Sequence, residues 1–198
     1  MKIIIVGATG TLGKHVTNAL AKEHEVIKAG SKSGDITLDI TSPASIESFF
    51  KQTGVFDALI SITGKGHFGP LATMTDADFR IGIDSKLMGQ INLVLIGQHY
   101  INPKGSFTLT SGILSEDPIV LGANLSAVNG AIEAFVRAAA IELNNNVRIN
   151  AISPGVVEDS PGFFPYFQGH IPVTMERVTQ AYIKSALGAL TGQVIKVF

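Results

Sequence analysis

Short runs of β-branched and aliphatic residues alternate along this chain with longer stretches in which apolar positions recur every three or four residues. Ile3 to Val6, Glu25 to Ala29, Phe56 to Ile62, Ser106 to Thr110, Val147 to Ile152 and Gln193 to Val197 read as strands, and the segments between them as helices. Strand, helix, strand repeated from end to end implies parallel pairing with right-handed crossovers, so the expected class is α/β. Helix punctuation agrees: Ser42 precedes Pro43 as an N-cap and first-turn proline, and Thr75 opens a second helix before Asp76. One stretch, Pro154 to Pro172, breaks the alternation. It is rich in glycine, proline and phenylalanine and reads as a lid or substrate loop at about residues 155–174, or else as a packed surface loop.

Composition narrows the class. A chain of 198 residues is the size of one domain, taken here as residues 1–198. Fifteen Lys and Arg against 16 Asp and Glu give a formal charge of -1, which argues against nucleic acid or an acidic membrane as a partner. Hydrophobic residues make up 45% and charged ones 16%, which suits a sheet covered on both faces. The chain has no cysteine, which excludes disulfides and thiolate chemistry and agrees with a reducing compartment. The apolar run from Lys2 to Val6 is too short for a signal-peptide core, and no run reaches the roughly 18 residues of a membrane span. A cytoplasmic protein is expected. The five histidines, 15, 24, 67, 99 and 170, show no ligand spacing, so no metal site is expected.

The strongest local signal follows the first strand, where Gly7-Ala-Thr-Gly10-Thr-Leu-Gly13 opens a helix. Glycines there let the backbone turn and approach a pyrophosphate, whose charge is met by free amides and the positive helix end. Gly7, Thr9, Gly10, Thr11, Leu12 and Gly13 are therefore candidate dinucleotide contacts. At the end of the second strand the chain reads Ala29-Gly-Ser31-Lys32-Ser33, without the acid that usually holds the ribose hydroxyls of NAD. Ser31, Lys32 and Ser33 suit a 2′-phosphate, so NADP is expected and NAD is less favoured. Lys32 as a solvated loop cation is the alternative, and Asp35 is an acid close enough to swing in. Asp39 and Ile40 stand where adenine would lie, although an aspartate before Thr41-Ser42-Pro43 also serves a turn.

With these elements in place the chain resembles the short-chain dehydrogenase/reductase family from residue 1 to the last strand. Besides the glycine loop, Ser61-Ile-Thr63-Gly64 stands where the family has Asn-Asn-Ala-Gly. Thr110-Ser111-Gly112 fits the strand end that carries its catalytic serine, and Asn150-Ala-Ile-Ser-Pro154-Gly155 fits its Pro-Gly motif beside the nicotinamide. The resemblance implies a Rossmann-type, doubly wound three-layer α/β/α sandwich with a parallel sheet of six to seven strands and the cofactor across the strand ends. Ser61, Thr63, Gly64, Pro154, Gly155 and the backbone of Val157 would then join the cofactor contacts. It also implies a homodimer or homotetramer through two long helices, about Asp76 to Tyr100 and Ala123 to Leu143, with Ala134, Ala138, Ala139 and Ala140 at the contact.

The resemblance breaks at the family's Tyr-x-x-x-Lys pair. In Leu125-Ser-Ala-Val-Asn129 a leucine stands at the tyrosine and an asparagine at the lysine, and the three tyrosines, 100, 166 and 182, lie elsewhere. In the preceding long helix the family often has an asparagine three residues before a glycine, and here Ser85-Lys86-Leu-Met-Gly89 puts Lys86 there. Lysine and asparagine have changed places along the sequence, which suggests that Lys86 brings its ammonium to the vacated space beside Asn129; a lysine snorkelling from a subunit contact is the alternative. Ser111 and Lys86 are the candidate catalytic residues, with Asn129 beside the cofactor. His67 and Tyr166 are weaker candidates for the missing acid. Asp159 falls where the family's threonine meets the nicotinamide amide, and Ile113, Leu114 and Leu125 suggest an apolar cleft. The expected function is an NADP-dependent oxidoreductase for a small apolar carbonyl or alcohol, slow or atypical; the alternative is a non-catalytic NADP(H) sensor.

Overall fold

Ile3, Ile4 and Ile5 are each fully buried, although successive strand residues point to opposite faces of a sheet. Strand β1 (Lys2–Val6) is therefore covered on both sides, the condition for an all-parallel sheet. The structure is a computed structural model that describes residues 1–198. Seven strands form one sheet in the order β3-β2-β1-β4-β5-β6-β7, and every pairing is parallel. The remaining strands are β2 (Glu25–Gly30), β3 (Ile36–Thr37), β4 (Phe56–Ser61), β5 (Ile101–Thr110), β6 (Arg148–Pro154) and β7 (Val194–Val197). The order runs outward from β1 in one direction and from β4 in the other, so the topological switch lies between those two strands.

Two apolar layers result. Helix α1 (Thr11–Leu20) and helix α6 (Met175–Leu187) pack on one face, with Val16, Leu20, Val178 and Tyr182 against Ile3, Ile5 and Ile60. Helices α2 (Pro43–Thr53), α4 (Met88–Gly97) and α5 (Ala123–Glu142) pack on the other, with Phe50, Leu93, Val128 and Ile132 against Ile4, Leu59 and Phe107. The polar β5 residues are matched on the α6 side: Ser106 donates to the Ala186 carbonyl at 2.9 Å, and Thr108 and Ser185 share a 2.6 Å hydrogen bond. Burial of a Ser- and Thr-rich strand costs little when each hydroxyl has such a partner.

Seven strands fall within the expected six to seven, and three details differ from the sequence pattern. The seventh strand, β3, is only two residues long, too short to leave a hydrophobic pattern. Strand β5 starts at Ile101, five residues ahead of the expected start at Ser106. Pro103 and Gly105 mask that stretch in the sequence, and its pairing with β4 is irregular between Phe56 and Ala58. The long helix expected from Asp76 to Tyr100 is three pieces: α3 (Asp76–Gly82), a π turn at Ile83–Leu87, and α4. That π turn contains Lys86.

The loop after β6 is ordered by local contacts. Val157 and Val173 form an isolated bridge across its base, and Pro161–Tyr166 makes a short 3-10 turn. The Phe163 ring lies 5.9 Å from the Phe68 ring of the loop after β4. Asp159 turns to α1, where it accepts from His15 Nε2 at 3.0 Å and pairs with Lys14 at 3.2 Å. The hydrogen bonds from His15 and Lys14 hold its carboxyl below the ordinary range.

Candidate cofactor and active site

The first half of the site is backbone. Gly7 adopts φ 85°, and a Cβ there would meet the Ile62 carbonyl carbon at 2.9 Å, so only glycine lets the ends of β1 and β4 run this close. Gly10 caps α1 without a side chain, leaving the amides of the first turn, at Thr11, Leu12 and Gly13, open to an anion. Thr9 Oγ1 and Ser33 Oγ lie 2.8 Å apart and tie this loop to the loop after β2.

Beside it opens a cleft of about 860 Å³, to which the predicted Ser31, Lys32, Asp39, Ile40, Thr63 and Gly64 all contribute. Thr41, Lys65, Asp84, Ser85 and Asn92 also line it and were not anticipated. Asp35 does not swing in: its carboxylate accepts from the Lys28 amide at 2.9 Å and lies 3.4 Å from Lys28 Nζ. Lys32 is exposed and has no acidic partner. Asp39 binds the Thr41 amide and hydroxyl through Oδ1 at 2.9 and 2.7 Å, bonds that hold its pKa below the ordinary carboxylate value. It serves the turn and lines the cleft at once.

The second half is built of side chains. Lys86 Nζ donates to Asn129 Oδ1 at 2.7 Å and to the Ser111 carbonyl at 2.9 Å, and Asn129 Nδ2 donates to the Gly112 carbonyl at 3.2 Å. The two residues that change places along the sequence thus meet in space. Gly64 (φ 115°) makes room for them, since a Cβ there would stand 2.8 Å from the Lys86 Cβ. Gln90 fixes the turn from the other side: its amide donates to the Lys86 carbonyl at 3.2 Å and the Thr110 carbonyl at 2.9 Å, and accepts from the Thr110 amide at 2.8 Å. A π turn shifts side-chain direction relative to a regular helix, and such turns concentrate at functional sites. Burial pushes the Lys86 ammonium down to about 8, partly opposed by the carboxylate of Glu133.

Ser111 sits directly past β5. Its amide donates to the Ile152 carbonyl at 2.9 Å, and its hydroxyl donates to the same oxygen at 3.3 Å, a long bond that a better acceptor can replace. The residue is 2% exposed, so an acceptor must displace neighbouring atoms to reach it. Leu125 fills the other wall by packing on the Gly66 backbone. Asn124 next to it is fully buried, accepts from the His67 amide at 2.9 Å and donates to the Phe79 carbonyl at 2.6 Å, which clamps the loop after β4 to α3 and α5. Leu121, just before α5, holds φ 70° while its carbonyl accepts from the Gly69 amide. That conformation costs on the order of 1 kcal/mol for a residue with a side chain, so the loop's position is enforced.

The other predicted positions divide by environment. Ser61 is fully buried, and its carbonyl accepts from Thr110 Oγ1 at 2.6 Å while its own hydroxyl lacks a partner. Pro154 ends β6, the Gly155 amide donates to the Val197 carbonyl, and Val157 is buried in its bridge to Val173. No tyrosine lies at the Leu125 position. Burial in the α6 layer raises the Tyr182 pKa, opposed in part by its hydrogen bond with Thr110, Tyr100 stacks on Phe50, and Tyr166 is an exposed residue of the loop after β6. Gln90, Asn124 and Glu133 escaped the sequence reading because their partners are distant in sequence and no motif announces them.

The sequence model of a family described as enoyl-(acyl carrier protein) reductase matches residues 2–165. A solved structure of the protein lin1944 from Listeria innocua is 49% identical and superimposes with a TM-score of 0.98 over 100% of both chains. The chain belongs to the short-chain dehydrogenase/reductase family. A crystal structure of a small-chain dehydrogenase in complex with NADPH is 28% identical, with a TM-score of 0.89 over 100% of this chain and 96% of that one. Among curated relatives, a short-chain dehydrogenase/reductase of Stachybotrys chlorohalonatus is 27% identical over 150 residues, which are 71% of this chain and 58% of that protein. A hexahydroindene-carboxyl-CoA reductase of Mycobacterium tuberculosis is 27% identical over 61% of this chain and 49% of its own length. The chain thus spans about half to three fifths of these relatives. Its fold is the Rossmann-type sandwich of its family, and no helix is long and apolar enough to cross a membrane.

Proposed function

We propose that this short-chain dehydrogenase/reductase is an NADP-dependent oxidoreductase for a small apolar carbonyl or alcohol, in which Ser111 and Lys86 replace the usual Tyr and Lys machinery. The observation that carries it is the contact of Lys86 with Asn129 and the Ser111 backbone. A cation stands where the family's second residue has been lost.

The residues fit the cofactor. The uncapped first turn of α1 suits a pyrophosphate, the cleft beside β2 accommodates an adenosine, and Ser31, unpaired Lys32 and Ser33 suit a 2′-phosphate. The relative crystallised with NADPH supports the same choice. NADPH, when bound, supplies the hydride. The Ser111 hydroxyl leaves the Ile152 carbonyl and donates to the acceptor oxygen, stabilising the negative charge that grows there. Lys86 sets a positive potential beside that oxygen and is the proton reservoir nearest to it, held in place by Asn129 and Gln90. Without a phenol in contact with the acceptor the chemistry is slow, since a positioned general acid is worth about 10²- to 10⁴-fold.

Leu125 favours a second reading. Its packing on Gly66 closes the tyrosine position with hydrocarbon, which suits a protein that binds NADP(H) and signals its level without turnover. Titration of NADPH followed by its oxidation against a carbonyl panel, with Ser111→Ala in parallel, separates the two. Turnover that falls in Ser111→Ala is the expected result; tight binding with no turnover on any carbonyl selects the sensor, and no binding overturns both.

A further inference from the structure

Lys86 is not the only buried charge near Ser111. Glu133 is 4% exposed, whereas Glu142, the other carboxylate of α5, faces solvent. Glu133 follows Asn129 by four residues as Asn129 follows Leu125, so the three share one face of α5. Its Oε1 accepts from Ser115 Oγ at 2.7 Å, and the same hydroxyl lies 3.0 Å from the Gly112 carbonyl that Asn129 Nδ2 reaches. A bridge of short contacts therefore runs from Lys86 through Asn129, Gly112 and Ser115 to Glu133. Arg137, the nearest cation on the helix surface, stays 3.9 Å away and is well exposed, too far for a hydrogen bond.

Each of the two buried charges is costly by itself. Lys86 has two neutral acceptors and no carboxylate within ion-pair distance, and Glu133 has one hydroxyl donor and a single, solvent-exposed ion pair with Arg137 at 3.9 Å. Taking an unpaired ion out of water costs several kcal/mol, and the field of an opposite charge in the same low-dielectric layer offsets part of it. Other ionisable groups around Lys86 are poorly placed for this. Asp84, on its own π turn, and Lys65, on the loop after β4, line the cofactor cleft, and the run from Thr110 to Ser115 has no ionisable side chain.

We propose that Glu133 is a positioning residue that stabilises the Lys86 ammonium against burial and fixes the Asn129 amide that receives it. The proposal rests on the reading of Lys86 as the cation of the reaction site, so its test needs a readout that does not depend on turnover. Cofactor-free protein labelled at the lysine side chains is titrated by NMR, with Lys86→Met assigning the signal. The Lys86 midpoint is expected near 8 in the parent protein, where burial and Glu133 oppose each other. Glu133→Gln should move it down by about half a unit or more, and Glu133→Asp should restore much of the loss. A Glu133→Gln midpoint within about 0.2 unit of the parent, in a variant with an unchanged circular dichroism spectrum, overturns the proposal. If Glu133→Gln does not fold, Glu133→Met, which removes the charge at similar side-chain length, should shift the midpoint down, and an unmoved midpoint overturns it equally. Where turnover is measurable, the basic limb of its pH profile should move with the NMR midpoint. Absence of turnover with a shifted midpoint counts against the oxidoreductase reading and leaves the role of Glu133 standing.

Discussion

The two halves of the site are built on different principles. The adenosine half, at the ends of β1 and β2, depends on backbone: glycines that permit close approach, open amides, and one unpaired surface lysine. The proposed reaction half, at the ends of β4 and β5, depends on side chains bonded to one another and to nearby carbonyls, with Lys86, Asn129, Gln90 and the Ser111 backbone in one bonded group. A backbone site keeps its geometry under most substitutions of its neighbours. A side-chain site can exchange its parts, and here a lysine and an asparagine have traded elements across 43 residues. The family's fingerprint therefore survives in the first half, and its lysine and asparagine are rearranged in the second.

The largest effect expected is at Lys86. Lys86→Met should lower turnover by about 10²-fold or more while changing the NADPH dissociation constant less than about 10-fold, measured by stopped-flow and by fluorescence titration. A matching loss of NADPH affinity would erase the division between the halves. Restoring the family's arrangement with Leu125→Tyr, Asn129→Lys and Lys86→Asn together should raise turnover above the parent, whereas Leu125→Tyr alone should not, because its hydroxyl would have no lysine beneath it and its ring would press on Gly66. Next in size is Lys32→Ala, which should weaken NADPH by about 10-fold and leave NADH unchanged, the loss of one charged contact to a phosphate. The smallest is Asp159→Asn, which releases the lid from Lys14 and His15; these are exposed pairs, so a few-fold change in KM with kcat preserved is expected.

The same division explains what the sequence made legible. Alternating apolar runs and the loop from Gly7 to Gly13 express local rules of strand, turn and helix, so the sheet and the glycine-rich turn could be read directly. Position alone singled out Lys86, because Ser85-Lys86-Leu-Met-Gly89 aligns with a family pattern. Its contact with Asn129 depends on the π turn at Ile83–Leu87, which has no local sequence sign. Gln90, Asn124 and Glu133 are ordinary polar residues on helices until tertiary structure supplies Thr110, His67 and Ser115 as partners. Alignment assigns Asp159 a place, and the fold supplies its partners. Its carboxylate contacts His15 and Lys14 of α1, 144 residues away in sequence in the case of His15.

If a charged Lys86 serves the reaction side of the site, the pH dependence of NADPH oxidation must carry its titration. The folded pKa of Lys86 lies near 8, below its ordinary value, so the ammonium dominates at neutral pH and is lost as the pH rises through that point. Turnover with the best carbonyl of a panel should hold below about 8 and fall above it, and Lys86→Met should give a low, flat profile. A Lys86→Met enzyme that keeps the parent's rate and the parent's basic limb would contradict the account.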